Sequence, residues 1–252
     1  MNTLQDRVAL VTGSSRGIGA AIATLFANEG ARLVVHGRDT DTVETVRSQI
    51  EATGAWVMSV IADLTRYDEI EGMRDRIEQV HGPVDILVAN AGGSPSRPGP
   101  IEEISEEAWR ASVDANLTAT FLTIKCFLTG MKERGRGNVI TMSSAAARRP
   151  NPGSPIAYAA AKAGIELLTK DVAAQAGPHG VRANCIAPET IMTETNQQQI
   201  PEQVQETLRG THPIRRLGTP EDVAQTALFL ASDNSAWISG IVVDVAGGSV
   251  LL

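Results

Sequence analysis

Cysteine is scarce: Cys126 and Cys185 are the only two in a chain of 252 residues. Two thiols so far apart exclude a disulfide framework or a cysteine metal cluster and fit reduced cysteines in a cytosolic protein. The expectation is therefore no metal and a cytoplasmic location. Aromatic residues make up 4% of the chain. There is no block of lysine and arginine, and the formal net charge is -7. That balance lacks the basic footprint of a nucleic-acid-binding protein and opposes an acidic macromolecular partner held by bulk charge. No run approaches the ~20 apolar residues that cross a bilayer, so no membrane partner is expected. The opening stretch MNTLQDRVALVTG has no basic region leading into a long apolar one, so no secretory signal is expected either.

What the chain does contain suits a globular fold: 42% of it is hydrophobic and 20% charged. A chain of this length hides roughly 70–75% of its unfolded surface. Its many small and β-branched side chains suit helices packed on a buried parallel sheet. Short apolar runs predict strands at 7–12, 32–36, 56–62, 84–89, 138–142, 181–187 and 241–245. Longer patterns predict helices at 17–29, 42–53, 67–81, 105–117, 118–134, 158–176 and 219–231, the last opened by a Thr-Pro-Glu-Asp start signal. This alternation implies an α/β fold, a doubly wound parallel sheet of about seven strands with helices on both faces. No repeat or linker interrupts it, so a single domain over 1–252 is expected. Two stretches are predicted to be irregular, 93–100 (GSPSRPGP) and 189–216. Both follow strands, and ligands of such sheets bind beyond the carboxyl ends of the strands.

The segment Thr12-Gly13-Ser14-Ser15-Arg16-Gly17-Ile18-Gly19 lies between the first predicted strand and the first predicted helix. Its glycines permit a tight turn and close approach to a pyrophosphate, which the helix amino terminus attracts through unpaired N–H groups and its dipole. In that position the loop marks a Rossmann-type dinucleotide site, with Gly13, Ser15, Arg16, Gly17, Ile18 and Gly19 as candidate cofactor-binding residues. The second strand ends at His36-Gly37-Arg38-Asp39. Two guanidiniums, Arg16 and Arg38, can pair with a ribose 2′-phosphate, which favours NADP(H). The alternative is that Asp39 takes the ribose of NAD(H) while the arginines are solvated.

Tyr158 and Lys162 stand four residues apart at the start of a predicted helix, on one face. A free tyrosine has a pKa of about 10, and a neighbouring ammonium favours its phenolate. Such a pair can give a proton to a carbonyl oxygen or take one from an alcohol. Taken alone, the spacing is more often that of surface neighbours. Here Ser143-Ser144 follows a strand, so a hydroxyl at its carboxyl end can polarise the substrate oxygen. The amide of Asn116 can orient a relay water.

In combination these residues resemble the short-chain dehydrogenase/reductase family over essentially the whole chain, most nearly the branch containing 3-oxoacyl-carrier-protein reductases. Further matches are Asp63-Leu64, Asn90-Ala91-Gly92, Asp114-Ala-Asn116-Leu, Asn184 to Pro188 and the closing RRLGTPEDVAQTALFLASD pattern. The resemblance implies that Asp63 meets the adenine, with Leu64 beside it, and that Asn90, Ala91 and Gly92 support the cofactor. It makes Ser144 the residue that binds the substrate oxygen, with Ser143 as the alternative, Tyr158 the acid/base and Asn116 the holder of the relay water. Lys162 would hold the nicotinamide ribose and lower the tyrosine pKa. Pro188, Ile191 and Thr193 would meet the nicotinamide end and the diphosphate. A homotetramer is also implied.

The sequence departs from the family pattern in several places. The gap between Ser144 and Tyr158 is one residue longer than usual, and Glu189 stands where glycine usually follows Pro188, bringing a carboxylate near the nicotinamide. The ending is Val245-Ala246-Gly247-Gly248, and His179 replaces a frequent arginine. Arg134, Arg136, Arg148 and Arg149 are the basic residues available to receive an acyl-carrier protein. The expected activity is NADP(H)-dependent hydride transfer to a ketone, from its secondary alcohol in reverse, with a 3-oxoacyl thioester of carrier protein or coenzyme A as one candidate substrate. The alternatives are an NAD-linked alcohol or sugar dehydrogenase and a non-catalytic nucleotide sensor.

Overall fold

Strands covered on both faces by helices read as near-continuous apolar runs, and the two strands at the middle of this sheet are wholly apolar and buried. In a computed structural model that describes residues 2–94 and 96–251, the strands are β1 (Val8–Val11), β2 (Arg32–Gly37), β3 (Val57–Ile61), β4 (Ile86–Ala89), β5 (Gly137–Met142), β6 (Val181–Pro188) and β7 (Val242–Val245). Met1 and Leu252 of the expected 1–252 domain, and Pro95 of the 93–100 loop, lie outside the described residues. All pairings are parallel, in the order β3-β2-β1-β4-β5-β6-β7. The order reverses between β1 and β4, and a crevice opens at their carboxyl ends.

Successive side chains of a strand face opposite ways, so β1 serves two cores. Ala9 and Val11 pack with Ile22 and Phe26 of α1 (Gly17–Asn28), with α2 (Thr40–Glu51) and with α10 (Pro220–Ala231). Val8 and Leu10 pack with α3 (Tyr67–Val80), α5 (Ala119–Glu133) and α7 (Ile156–Ala176). The expected seven-stranded, two-faced sheet is the observed one. Among the described residues, no helix is long and apolar enough to cross a membrane, and no group of three or more His, Cys, Asp or Glu is placed to hold a metal ion.

Three segments differ from the sequence expectation. The pattern over 105–134 is α4 (Glu106–Val113) and α5 joined by a π-helical turn, Asp114–Thr118. The short helix α6 (Ala145–Arg148) follows Ser144, whose side chain caps it. The stretch 189–216, expected to be irregular, contains α8 (Glu194–Gln199) and α9 (Glu202–Thr211). These helices are polar on most faces and offer few apolar positions for periodicity to detect. What starts them is local: the Thr193 side chain accepts the Asn196 N–H, and Pro201 precedes α9.

At the start of α10, the Thr219 hydroxyl and the Asp222 carboxylate cap each other's backbone N–H groups, and Arg216 grips Asp222 at 2.6 and 2.7 Å. This holds the Asp222 carboxyl down to about 2. Thr219→Ala removes half of the capping box and is expected to cost about 1 kcal/mol. The corresponding loss of roughly 2–4 °C in thermal midpoint is measurable by calorimetry.

Candidate active site

The cofactor half of the site is set by how closely backbone can pack. Gly13 has φ +63°, and a Cβ there would stand 2.8 Å from the Ala91 Cα. A Cβ on Gly19 would collide with the Gly13 carbonyl oxygen and lie 2.6 Å from Asn90 Nδ2. The loop is therefore folded onto itself and onto the end of β4. Asn90 fastens the contact, with Nδ2 donating to the Thr12 and Gly13 carbonyls at 2.9 and 3.2 Å. No side chain caps α1, so its first N–H groups are left for an anion. A dinucleotide fits this cradle: a loop without side-chain bulk, an uncapped helix and a guanidinium at Arg16.

His36 was missed as part of the site. It is buried at the end of β2, where Nδ1 accepts the Gly13 N–H at 3.1 Å. Nε2 must then carry the proton, which it shares with the Ala62 carbonyl at 3.1 Å. A histidine inside an otherwise apolar strand was the available signal.

The reacting half lies at the carboxyl ends of β4, β5 and β6. Lys162 is buried and donates to the Met142 carbonyl at 2.8 Å. Burial pushes its ammonium down to about 8. Its Nζ lies 5.6 Å from the Tyr158 ring centroid. Burial of the phenol raises its pKa, and the hydrogen bond with Ser144 opposes that rise. The two serines diverge: Ser144 meets Tyr158, whereas Ser143 is buried and donates to the Glu166 carboxylate at 2.7 Å and the Lys162 carbonyl at 3.2 Å. Asn116 sits in the π-helical turn, a feature common at functional sites. Its Nδ2 donates to the Gly93 and Ser112 carbonyls at 2.8 Å each, and its Oδ1 accepts the Gly93 N–H at 3.1 Å. Both amide protons are spent, and one oxygen lone pair remains for a water.

A cavity of about 320 Å³ joins the two halves. Of the predicted site residues, it is lined by Gly13, Arg16, Gly17, Ile18 and Gly19 at one end and by Ser144, Tyr158 and Lys162 at the other. Asn90 and Gly92 flank it on the β4 side, with Pro188, Ile191 and Thr193 on the β6 side. Ser15, Arg38, Asp63, Leu64 and Ala91 are not on its wall; Ala91 backs Gly13, and Asn116 stands behind Gly92. Arg38 and Asp63 share a corner beyond β2 and β3. There the Thr65 N–H and hydroxyl donate to the Asp63 carboxyl and hold its pKa low against the opposing effect of burial, with attraction to Arg38 adding to the lowering. Asp39 accepts the Thr42 N–H at 2.9 Å as the cap of α2.

The four arginines considered for carrier docking do not form one surface. Arg134 and Arg136 precede β5, at the amino end of the sheet, and bond the Val84 carbonyl and Asp85. Arg148 is drawn inward, donating to Glu166 at 2.7 Å and to Asp244 at 2.9 Å. Of the four, Arg149 alone stays exposed at the carboxyl end.

Fold and site together define an oxidoreductase that interconverts CH–OH and C=O groups. A family model described as enoyl-(acyl carrier protein) reductase matches residues 13–249. The chain belongs to the short-chain dehydrogenase/reductase family, in the branch similar to 3-oxoacyl-carrier-protein reductases. It is 36% identical over 248 residues to dehydrogenase/reductase SDR family member 4 of Homo sapiens, covering 98% of this chain and 88% of that one. It is 34% identical over 251 residues to the 3-oxoacyl-[acyl-carrier-protein] reductase FabG of Thermotoga maritima, covering 98% and 99%. Among solved structures, a 3-oxoacyl-[acyl-carrier protein] reductase from Brucella melitensis with bound NAD superposes with a TM-score of 0.92 at 34% identity, covering 100% of this chain and 94% of that one. A gluconate 5-dehydrogenase from Burkholderia cenocepacia, in complex with NADP and tartrate, does so with a TM-score of 0.92 at 30% identity, covering 98% and 96%.

Burial keeps His36 neutral, its pKa pushed from 6.5 down to about 4. Between those values the unfolded chain binds a proton that the native protein refuses, so stability falls as the pH drops through this window. The contribution at pH 5 is on the order of 2 kcal/mol. Urea titrations at pH 7 and pH 5 should show His36→Gln losing less stability on acidification than the parent. An equal loss in both would exclude His36 as the cause.

Proposed function

We propose that the chain reduces a ketone with NADP(H), or oxidises the matching secondary alcohol in reverse, residues 1–252 acting as one binding and catalytic unit. The observation that carries this is the meeting of Ser144, Tyr158 and Lys162 in the cavity that also contains the glycine loop. The bound nicotinamide supplies or takes the hydride. Everything else falls to the protein. The Tyr158 hydroxyl keeps its proton at neutral pH, because burial raises its pKa, and delivers it to the carbonyl oxygen. Ser144 donates to that oxygen and to the charge growing on it. Lys162, fixed on the Met142 carbonyl, holds the nicotinamide ribose. Asn116 holds the relay water on its remaining lone pair. Gly13 to Gly19 receive the diphosphate, joined by Thr193; Asp63 and Leu64 meet the adenine; Asn90, Ala91 and Gly92 shape the floor; Pro188 and Ile191 cover the nicotinamide.

The preference for NADP(H) is supported by Arg16 and Arg38, both exposed beside the loop, and by Asp39, one of whose oxygens is committed to capping α2. NAD-linked oxidation of an alcohol or sugar is the second reading, favoured by the attraction of Arg38 to Asp63. A 3-oxoacyl thioester is the candidate substrate class, supported by the similarity to the 3-oxoacyl-carrier-protein reductase of Thermotoga maritima. Coenzyme A is the better-supported carrier, since Arg149 alone of the four arginines remains at the entrance. A cytoplasmic homotetramer completes the proposal.

Oxidation of NADPH and NADH is to be followed against a panel of ketones that includes an acetoacetyl thioester. Tyr158→Phe should lower turnover by at least roughly 100-fold while leaving dinucleotide affinity unchanged; full activity in that variant would remove the assigned acid. Arg38→Asp should move the NADPH/NADH preference towards NADH by on the order of tenfold. An unmoved ratio would return the arginine to ordinary surface.

A further inference from the structure

Glu189 is the one acidic residue on the cavity wall among the described residues. It directly follows β6, whose end lies beside that of β5: the Ser143 N–H donates to the Ile186 carbonyl at 2.8 Å. This puts Glu189 on the same side of the cavity as Ser144 and Tyr158. Its position is fixed twice. The Glu189 N–H donates to the Val245 carbonyl at 3.1 Å, continuing the β6–β7 pairing. The Thr190 hydroxyl donates to Oε1 at 3.0 Å. It is partly buried, and among the described residues it forms no ion pair. The other charged residue on the wall in this half, Lys162, donates to the Met142 carbonyl and forms no ion pair with Glu189. A partly buried carboxylate held in place without a counter-ion favours a positive ligand at its side and disfavours a negative one.

The two forms of a nicotinamide dinucleotide carry the same phosphates and differ in charge only at the ring, which is positive when oxidised and neutral when reduced. We infer that Glu189 is the electrostatic partner of the oxidised nicotinamide ring, so that this site holds the oxidised dinucleotide more tightly, relative to the reduced one, than it would with a neutral residue. This rests on the dinucleotide assignment under Proposed function. Glu189 thereby acts on the cofactor as a tuning residue: by favouring the cationic product of hydride donation, it makes the bound reduced form a stronger hydride donor.

Titration calorimetry of NADP⁺ and NADPH, without substrate so that no other cation contributes, tests this on the parent protein, Glu189→Gln and Glu189→Gly. Gln keeps the shape and can still accept from Thr190, so it isolates the charge. In both variants the dissociation constant for NADP⁺, divided by that for NADPH, should rise by at least about fivefold, the effect of a unit charge pair about 4 Å apart at the dielectric constant of bulk water, and by more where the pair is shielded from water. The NADPH constant of the Gln variant should stay within about twofold. An unchanged ratio, or equal weakening of both forms, would overturn the inference and leave Glu189 as a support of its loop. A parent protein that bound neither form would instead overturn the dinucleotide assignment itself.

Discussion

β1 and β4 lie side by side although 74 residues of chain separate the end of one from the start of the other, and the close packing at their carboxyl ends is the constraint on which the site depends. The pairing buries two apolar runs on both faces and reverses the strand order. It also forces the turn after β1 to share space with the turn after β4. Glycine at positions 13 and 19 lets the two backbones approach, and Asn90 ties them. The α1 amino terminus has no side-chain cap, and its first residues line the cavity. His36 completes the support from the other side, and its neutrality is a consequence of the same dense packing.

The reacting end is governed by charge rather than by backbone shape. A buried ammonium is costly unless its protons find acceptors. Lys162 meets this cost with the Met142 carbonyl at the end of β5, one residue before the two serines. The same strand end therefore positions the cation and the hydroxyl. Beneath it, Glu166 takes one bond from Ser143 and another from Arg148, which continues to Asp244 on β7. This buried chain of alternating charges joins α6, α7 and β7. It engages the hydroxyl of Ser143, which also lines the cavity, and leaves Ser144 beside the phenol. It also explains why Arg148 is drawn inward from the surface.

Much of this was legible in the residues. Strand and helix periodicity located all seven strands to within two residues at either end, because apolar runs buried on both faces leave little ambiguity. The glycine loop and the Tyr158–Lys162 spacing were equally plain. The two polar helices after β6 were not, since their apolar face is narrow and their start depends on Thr193 and Pro201. Nor was the π-helical turn that presents Asn116, which shows no break in the helical pattern.

By itself the sequence determined the α/β alternation and the family and named most of the residues that line the cavity, because each rests on local spacing or on residue type. The tertiary structure alone decided which serine faces Tyr158 and which arginine stays exposed at the carboxyl end of the sheet. Those outcomes come from contacts between segments far apart in the chain, where Glu166 and Asp244 share Arg148 and Glu166 also takes the Ser143 hydroxyl, and no local pattern records them.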